Sequence, residues 1–108
     1  VNWFRRDDNG RFLWPGYGEN SRVLKWVFER ITGNAKAEKT AIGYLPTHDA
    51  LDTNGVNVTS EDLNELLSVD TNGWKEAVPQ IREHYAAFGE RLPTKLASSL
   101  NDLESALA

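Results

Sequence analysis

The chain has 108 residues, no cysteine, no methionine and a formal net charge of −4. That length fits one domain, the missing thiols exclude disulfides and cysteine chemistry, and no apolar run approaches the roughly 18 residues of a membrane span. The charge is uneven: residues 1–39 hold eight Lys/Arg and five Asp/Glu, whereas residues 40–108 hold four and eleven. Seven of the eleven aromatic residues lie within the first 28 positions, so candidate chemistry concentrates at the front. The acidic back half reads as solvated helix faces. The chain opens V-N-W-F, inside an apolar pattern and without an initiator Met, so it reads as a piece cut from a longer protein, with N-terminal processing as the alternative.

Val1–Arg6 reads as an extended run, with Trp3 and Phe4 as β-favouring bulk. Asp7-Asp8-Asn9-Gly10 is a turn signal, and its Asn-Gly pair suits a tight hairpin with positive φ at both central residues. Arg11–Trp14 is the expected return strand, broken by Pro15–Gly18. A helix is expected over about 20–32, with Asn20 or Ser21 as its cap and Gly33 as its stop. Val23, Leu24, Val27, Phe28 and Ile31 share one face of it.

Asn34–Lys39 reads as polar linker, and Thr40–Pro46 (TAIGYLP) as a short extended piece. Residues 48–58 read as loop. Thr59 and Asp62 form a variant capping box opening a helix, and Asp70 caps the next. There Trp74, Val78, Ile81, Tyr85 and Phe88 make a stripe, interrupted by Pro79, which should kink the helix or move its start. Leu92-Pro93 opens a last helix with Leu96, Leu100, Leu103 and Leu107 on one side. The expected fold class is α+β: a small N-terminal β-hairpin, then a mostly helical C-terminal portion, forming one compact unit.

Familiar catalytic patterns are missing. His48 and His84 lie 36 positions apart with no partner at ligand spacing, and read as surface histidines. No G-x-S-x-G elbow surrounds Ser21, and Glu19 reads as an ordinary first-turn carboxylate. Gly16–Ser21 gives G-x-G-x-x-S, which is neither the dinucleotide fingerprint nor a phosphate loop. What remains is a base-binding arrangement. Trp3, Phe4, Phe12 and Tyr17 can offer flat faces, each stack contributing about 1–3 kcal/mol. Asn20 offers an acceptor and a donor together, which can meet the N1–H and O6 edge of guanine or the reversed pair on adenine. From the residues alone, the alternative is that these rings only fill the core of a hairpin-plus-helix unit.

The segment NWFRRDDNGRFLWPGYGENSRVLKW, continued by ERITGNA and TAIGYLP, resembles the guanine-binding segment of the GTP-dependent phosphoenolpyruvate carboxykinases, their actinobacterial branch in particular. The likeness is specific over residues 1–46 and looser over the helical tail, 47–108. It implies ring contacts to guanine from Trp3, Phe4, Phe12 and Tyr17, and edge recognition by Asn20. Tyr17 stands where the family more often has phenylalanine. The resemblance further implies a cytoplasmic enzyme of gluconeogenesis that converts oxaloacetate and GTP to phosphoenolpyruvate, GDP and carbon dioxide with Mn2+ or Mg2+. The metal ligands and catalytic residues would lie outside this chain, leaving it inactive alone. Its expected partners are the missing N-terminal part and GTP, with no nucleic acid or membrane, and an exposed apolar surface should let the isolated piece dimerise. Two rival classes stand beside this: a single-stranded nucleic-acid binder using Arg5, Arg6 and Arg11, and a helical protein-interaction module.

Overall fold

The computed structural model describes residues 2–108, so the expected contribution of Val1 to an N-terminal strand lies outside the described residues. The elements are α1 (Asn20–Ile31), β1 (Ala37–Thr40), β2 (Gly43–Pro46), α2 (Ser60–Leu67), α3 (Thr71–Ala86) and α4 (Thr94–Leu107), with single 3-10 turns at Tyr17–Glu19 and Gly89–Arg91. β1 and β2 form a two-stranded sheet. The α+β class holds. Contacts group the chain into two units, one of residues 2–39 and 44–68, the other of Thr40–Gly43 and Val69–Ala108.

In the first unit, the front segment folds as a loop closed by one bridge pair, Arg6 with Phe12, in place of two regular strands. Asp7 is the cause. Its carboxylate accepts from the backbone N–H groups of Asn9 and Arg11, both at 2.9 Å, which competes with a β ladder. Gly10 alone takes positive φ, so the tight turn expected at Asn9-Gly10 gives way to one whose Gly10 N–H bonds the Asp7 carbonyl. Leu13 and Trp14, which follow, are buried.

The Pro15-Gly16 corner then feeds α1. Gly16 sits at φ 124°, a conformation that side chains disfavour, and its carbonyl accepts from Glu19. Glu19, not Asn20 or Ser21, holds the N-cap position, and no side chain caps the helix. At the far end Gly33 stops α1 as expected. Gly33 N–H bonds Arg30 and Asn34 N–H bonds Glu29, the paired bonds of a Schellman ending, with Gly33 at φ 80°. Trp26 secures the exit, donating its indole N–H to the Lys36 carbonyl at 3.0 Å.

The apolar stripe of α1 is the largest departure from its pattern. Leu24, Val27, Phe28 and Ile31 are exposed, and no residue of the helix is buried. The spacing correctly marks a helix with an apolar face; within this chain that face meets water.

α2 opens on the complete capping box. Thr59 accepts from Asp62 N–H, and Asp62 accepts from Thr59 N–H. β1 was expected to be linker; it pairs although its AEKT sequence is short and polar.

The second unit is a helix pair. Asp70 caps α3 through Gly73 N–H. Val78, Leu100 and Leu107 form its buried cluster, with Trp74, Ile81, Tyr85, Leu103 and Ala41 packed against it. Two stripes at three- and four-residue spacing thereby meet face to face. Phe88 and Leu96, at the stripe ends, stay exposed. Pro79 leaves the start of α3 at Thr71 and lies inside the helix. It removes one N–H from the helix ladder. Among the described residues, no helix is long and apolar enough to cross a membrane.

Candidate functional site: an aromatic corner at the head of α1

The front loop owes its position to long-range ion pairs. Arg5 donates to the Glu65 carboxylate and the Ser68 hydroxyl, each at 3.0 Å, and reaches the Leu66 carbonyl at the end of α2. Arg11 donates to Asp62 at 2.6 Å and to Asp7 at 3.2 Å. Asp62 is 4% exposed. Its bonds from the Arg11 guanidinium and the Thr59 N–H hold its carboxyl below the usual Asp range. Residues 51 positions apart therefore fix the loop that presents Phe12.

The candidate ring residues do not close into one cluster. Phe4 and Phe12 meet edge to face, centroids 6.5 Å apart and planes at 64°. Trp3 and Trp14 meet at the same distance, tilted by 45°. The Arg6 guanidinium lies 4.3 Å from the Phe12 ring centre, a cation–π contact. Phe4 is 74% exposed, Phe12 47% and Tyr17 92%, whereas Trp3 is half-buried. Tyr17 has no aromatic partner among the described residues. Phe4 and Phe12 touch directly, so they do not frame a parallel slot about 7 Å wide, the room a stacked base needs.

Asn20 stands at the first position of α1, three residues after Tyr17. Its side-chain carbonyl accepts the indole N–H of Trp14 at 2.9 Å. Among the described residues its Nδ2 finds no hydrogen-bond partner and no buried polar side-chain atom lacks one, so Nδ2 is at least partly open to solvent. The corner therefore presents wetted aromatic faces and an outward amide donor. Sequence reasoning placed Trp14 at the end of the expected return strand and left it out of the candidate rings. The structure buries it, at 4% exposure, against the one side chain expected to read a base edge. Trp14 lies six residues from Asn20 across a glycine-proline corner, so no single helix or strand joins the two.

Two other features carry less chemistry. A shallow groove of about 500 Å³ in the second unit is lined by Val78, Pro79, Arg82, Glu83, Ala86 and Glu104, and its Arg82–Glu104 pair is exposed. No group of three His, Cys, Asp or Glu among the described residues could hold a metal ion. The side chains present do not fit a divalent-cation site.

Residues 1–106 match a family model described as the phosphoenolpyruvate carboxykinase C-terminal P-loop domain. The phosphate-loop pattern G-x-x-x-x-G-K-[ST] itself has no match in this sequence. Relatives named phosphoenolpyruvate carboxykinase (GTP) include those of Treponema pallidum, 55% identical over 97% of this chain, and Chlamydia muridarum, 47% identical over 99%. The fungal protein of Neocallimastix frontalis is 51% identical over 99%. The chain spans only 17–18% of the length of these relatives. On a match that runs almost from end to end, the chain belongs to the family of GTP-dependent phosphoenolpyruvate carboxykinases, as their C-terminal part.

Proposed function

We propose that this chain supplies the guanine pocket of a GTP-dependent phosphoenolpyruvate carboxykinase. Residues 1–46 form the binding segment and 47–108 the C-terminal helical tail. Trp3, Phe4, Phe12 and Tyr17 provide the aromatic wall, and Asn20 reads the base edge. The single observation behind this reading is the front segment itself: Phe4, Phe12 and Tyr17 are wet, and the Asn20 amide at the head of α1 keeps a donor open to solvent. A base laid on those rings covers apolar surface now in water, and each stack contributes about 1–3 kcal/mol. Because Phe4 and Phe12 touch, binding requires the base to lie along their outer faces or one ring to turn aside.

In the intact enzyme the reaction is oxaloacetate plus GTP to phosphoenolpyruvate, GDP and carbon dioxide, in the cytoplasm. Mn2+ or Mg2+ supplies charge neutralisation at the transferring phosphate, held by ligands outside this chain. The role of these residues is positional. Gripping the base fixes where the γ-phosphate lands, which converts binding into alignment. The chain alone is inactive. Its exposed apolar surface, including the N-terminal rings and the stripe of α1, covers itself against the N-terminal part of the enzyme, or in isolation against a second copy.

The nucleic-acid reading has less support. Arg5 and Arg11 are spent on Glu65, Asp7 and Asp62, so of three candidate phosphate contacts only Arg6 lacks an ion-pair partner among the described residues. Tryptophan fluorescence separates the readings. A full-length carboxykinase bearing this chain as its C-terminal part should show saturable quenching with GDP and a much weaker response to ADP. A short single-stranded RNA binding as tightly as GDP, with strong salt dependence, would favour the rival.

A further inference from the structure

We infer that Trp14 is a specificity-determining positioning residue: its indole N–H locks the Asn20 amide in the one orientation that matches guanine and mismatches adenine. This rests on the proposed guanine pocket. An asparagine side chain has two nearly isosteric faces, a carbonyl acceptor and an amide donor, and a half-turn about the Cβ–Cγ bond exchanges them. Guanine presents an acceptor at position 6 and a donor at position 1. Adenine presents a donor at position 6 and an acceptor at position 1. An amide free to turn over would pair with either base in the same aromatic seat. Stacking does not discriminate, because every base has a π-face.

Trp14 removes that freedom. Indole nitrogen can only donate, so the Asn20 atom 2.9 Å from it must be the carbonyl oxygen. The indole is buried and its ring rests on Trp3, so the donor does not swing away. Turning the amide over would put two donors face to face and strand a buried N–H. In the locked state Nδ2 faces outward and the carbonyl keeps one lone pair. With Nδ2 toward position 6, guanine satisfies both groups. Adenine in the same seat sets donor against donor and acceptor against acceptor. Sites built on paired hydrogen bonds reject analogues that leave them unpaired.

The test is the ratio of GDP to ADP affinity, measured by calorimetry in a full-length carboxykinase bearing this chain. Trp14→Phe keeps the ring and removes the donor. The ratio should fall by about tenfold, chiefly through better ADP binding, in a protein that folds but melts lower because a smaller ring fills the buried site. Phe4→Ala is the contrast: it should weaken both nucleotides together and leave the ratio intact. A folded Trp14→Phe protein that keeps the wild-type ratio overturns the lock while leaving the guanine pocket standing. A wild-type protein with no preference for GDP overturns the pocket itself. Should Trp14→Phe fail to fold, hydrogen exchange decides. The Trp14 indole proton should exchange slowly in wild type and approach the rate of an exposed indole in Asn20→Ala. Equal rates in the two proteins would refute the lock.

Discussion

Asn20→Ala is expected to weaken GDP binding by roughly tenfold to a hundredfold while changing ADP binding by no more than about twofold. The asymmetry follows from what the side chain does. Its outward Nδ2 and remaining carbonyl lone pair match guanine O6 and N1–H, whereas adenine in the same seat is already mismatched. Truncation thus removes two good contacts for one nucleotide and two poor ones for the other. The fold should tolerate the change, since Asn20 does not cap α1: Glu19 occupies the N-cap position and Asn20 N–H already bonds the Tyr17 carbonyl. The cost to the scaffold is the lone Trp14 indole N–H left without its acceptor, about 1–3 kcal/mol if no water replaces it. Calorimetric titration of both nucleotides, with a thermal melt of each protein, checks the prediction. Equal losses for GDP and ADP would assign Asn20 a structural role only.

Leu100→Ala should carry the largest stability penalty, about 2–5 kcal/mol. Leu100 is buried between α3 and α4 with Val78 and Leu107, and Trp74, Ile81 and Tyr85 pack around that cluster. Truncation leaves a void that two helices joined by a short connection close only in part. Leu96→Ala, on the same stripe but exposed, should cost under about 1 kcal/mol. Urea unfolding followed by helical circular dichroism measures both. Similar midpoints for the two variants would contradict the assignment of Leu100 to the core.

That contrast shows where sequence periodicity is informative. The 3-4 stripes of α3 and α4, the Thr59–Asp62 capping box, the Asp70 cap and the Gly33 stop were all legible, because each depends on residues within one or two helical turns. The α1 stripe was legible as a helix face, yet spacing cannot say what covers it, and Leu24, Val27, Phe28 and Ile31 stand in water. The front hairpin misled because Asn9-Gly10 favours a tight turn while the Asp7 carboxylate, two residues before Asn9, captures the donors that a second strand needs. β1 escaped notice because one alanine and three polar residues carry no alternating signal. The supports of the candidate site were hidden for a different reason. Arg5 reaches α2 across 60 positions and Arg11 reaches Asp62 across 51, and no local pattern encodes such partners. All five candidate residues were named from the sequence, but the pairing of Phe4 with Phe12 and the Trp14–Asn20 bond emerged only from the fold.

The central claim is that the aromatic corner seats guanine, and proton contacts between the nucleotide and the rings test it most directly. With a full-length carboxykinase bearing this chain and saturated with GDP, guanine H8 should show nuclear Overhauser effects to ring protons of Phe4, Phe12 or Tyr17. GDP bound at saturation with its H8 contacts confined to other residues, and with the resonances of these three rings unmoved, would contradict the account.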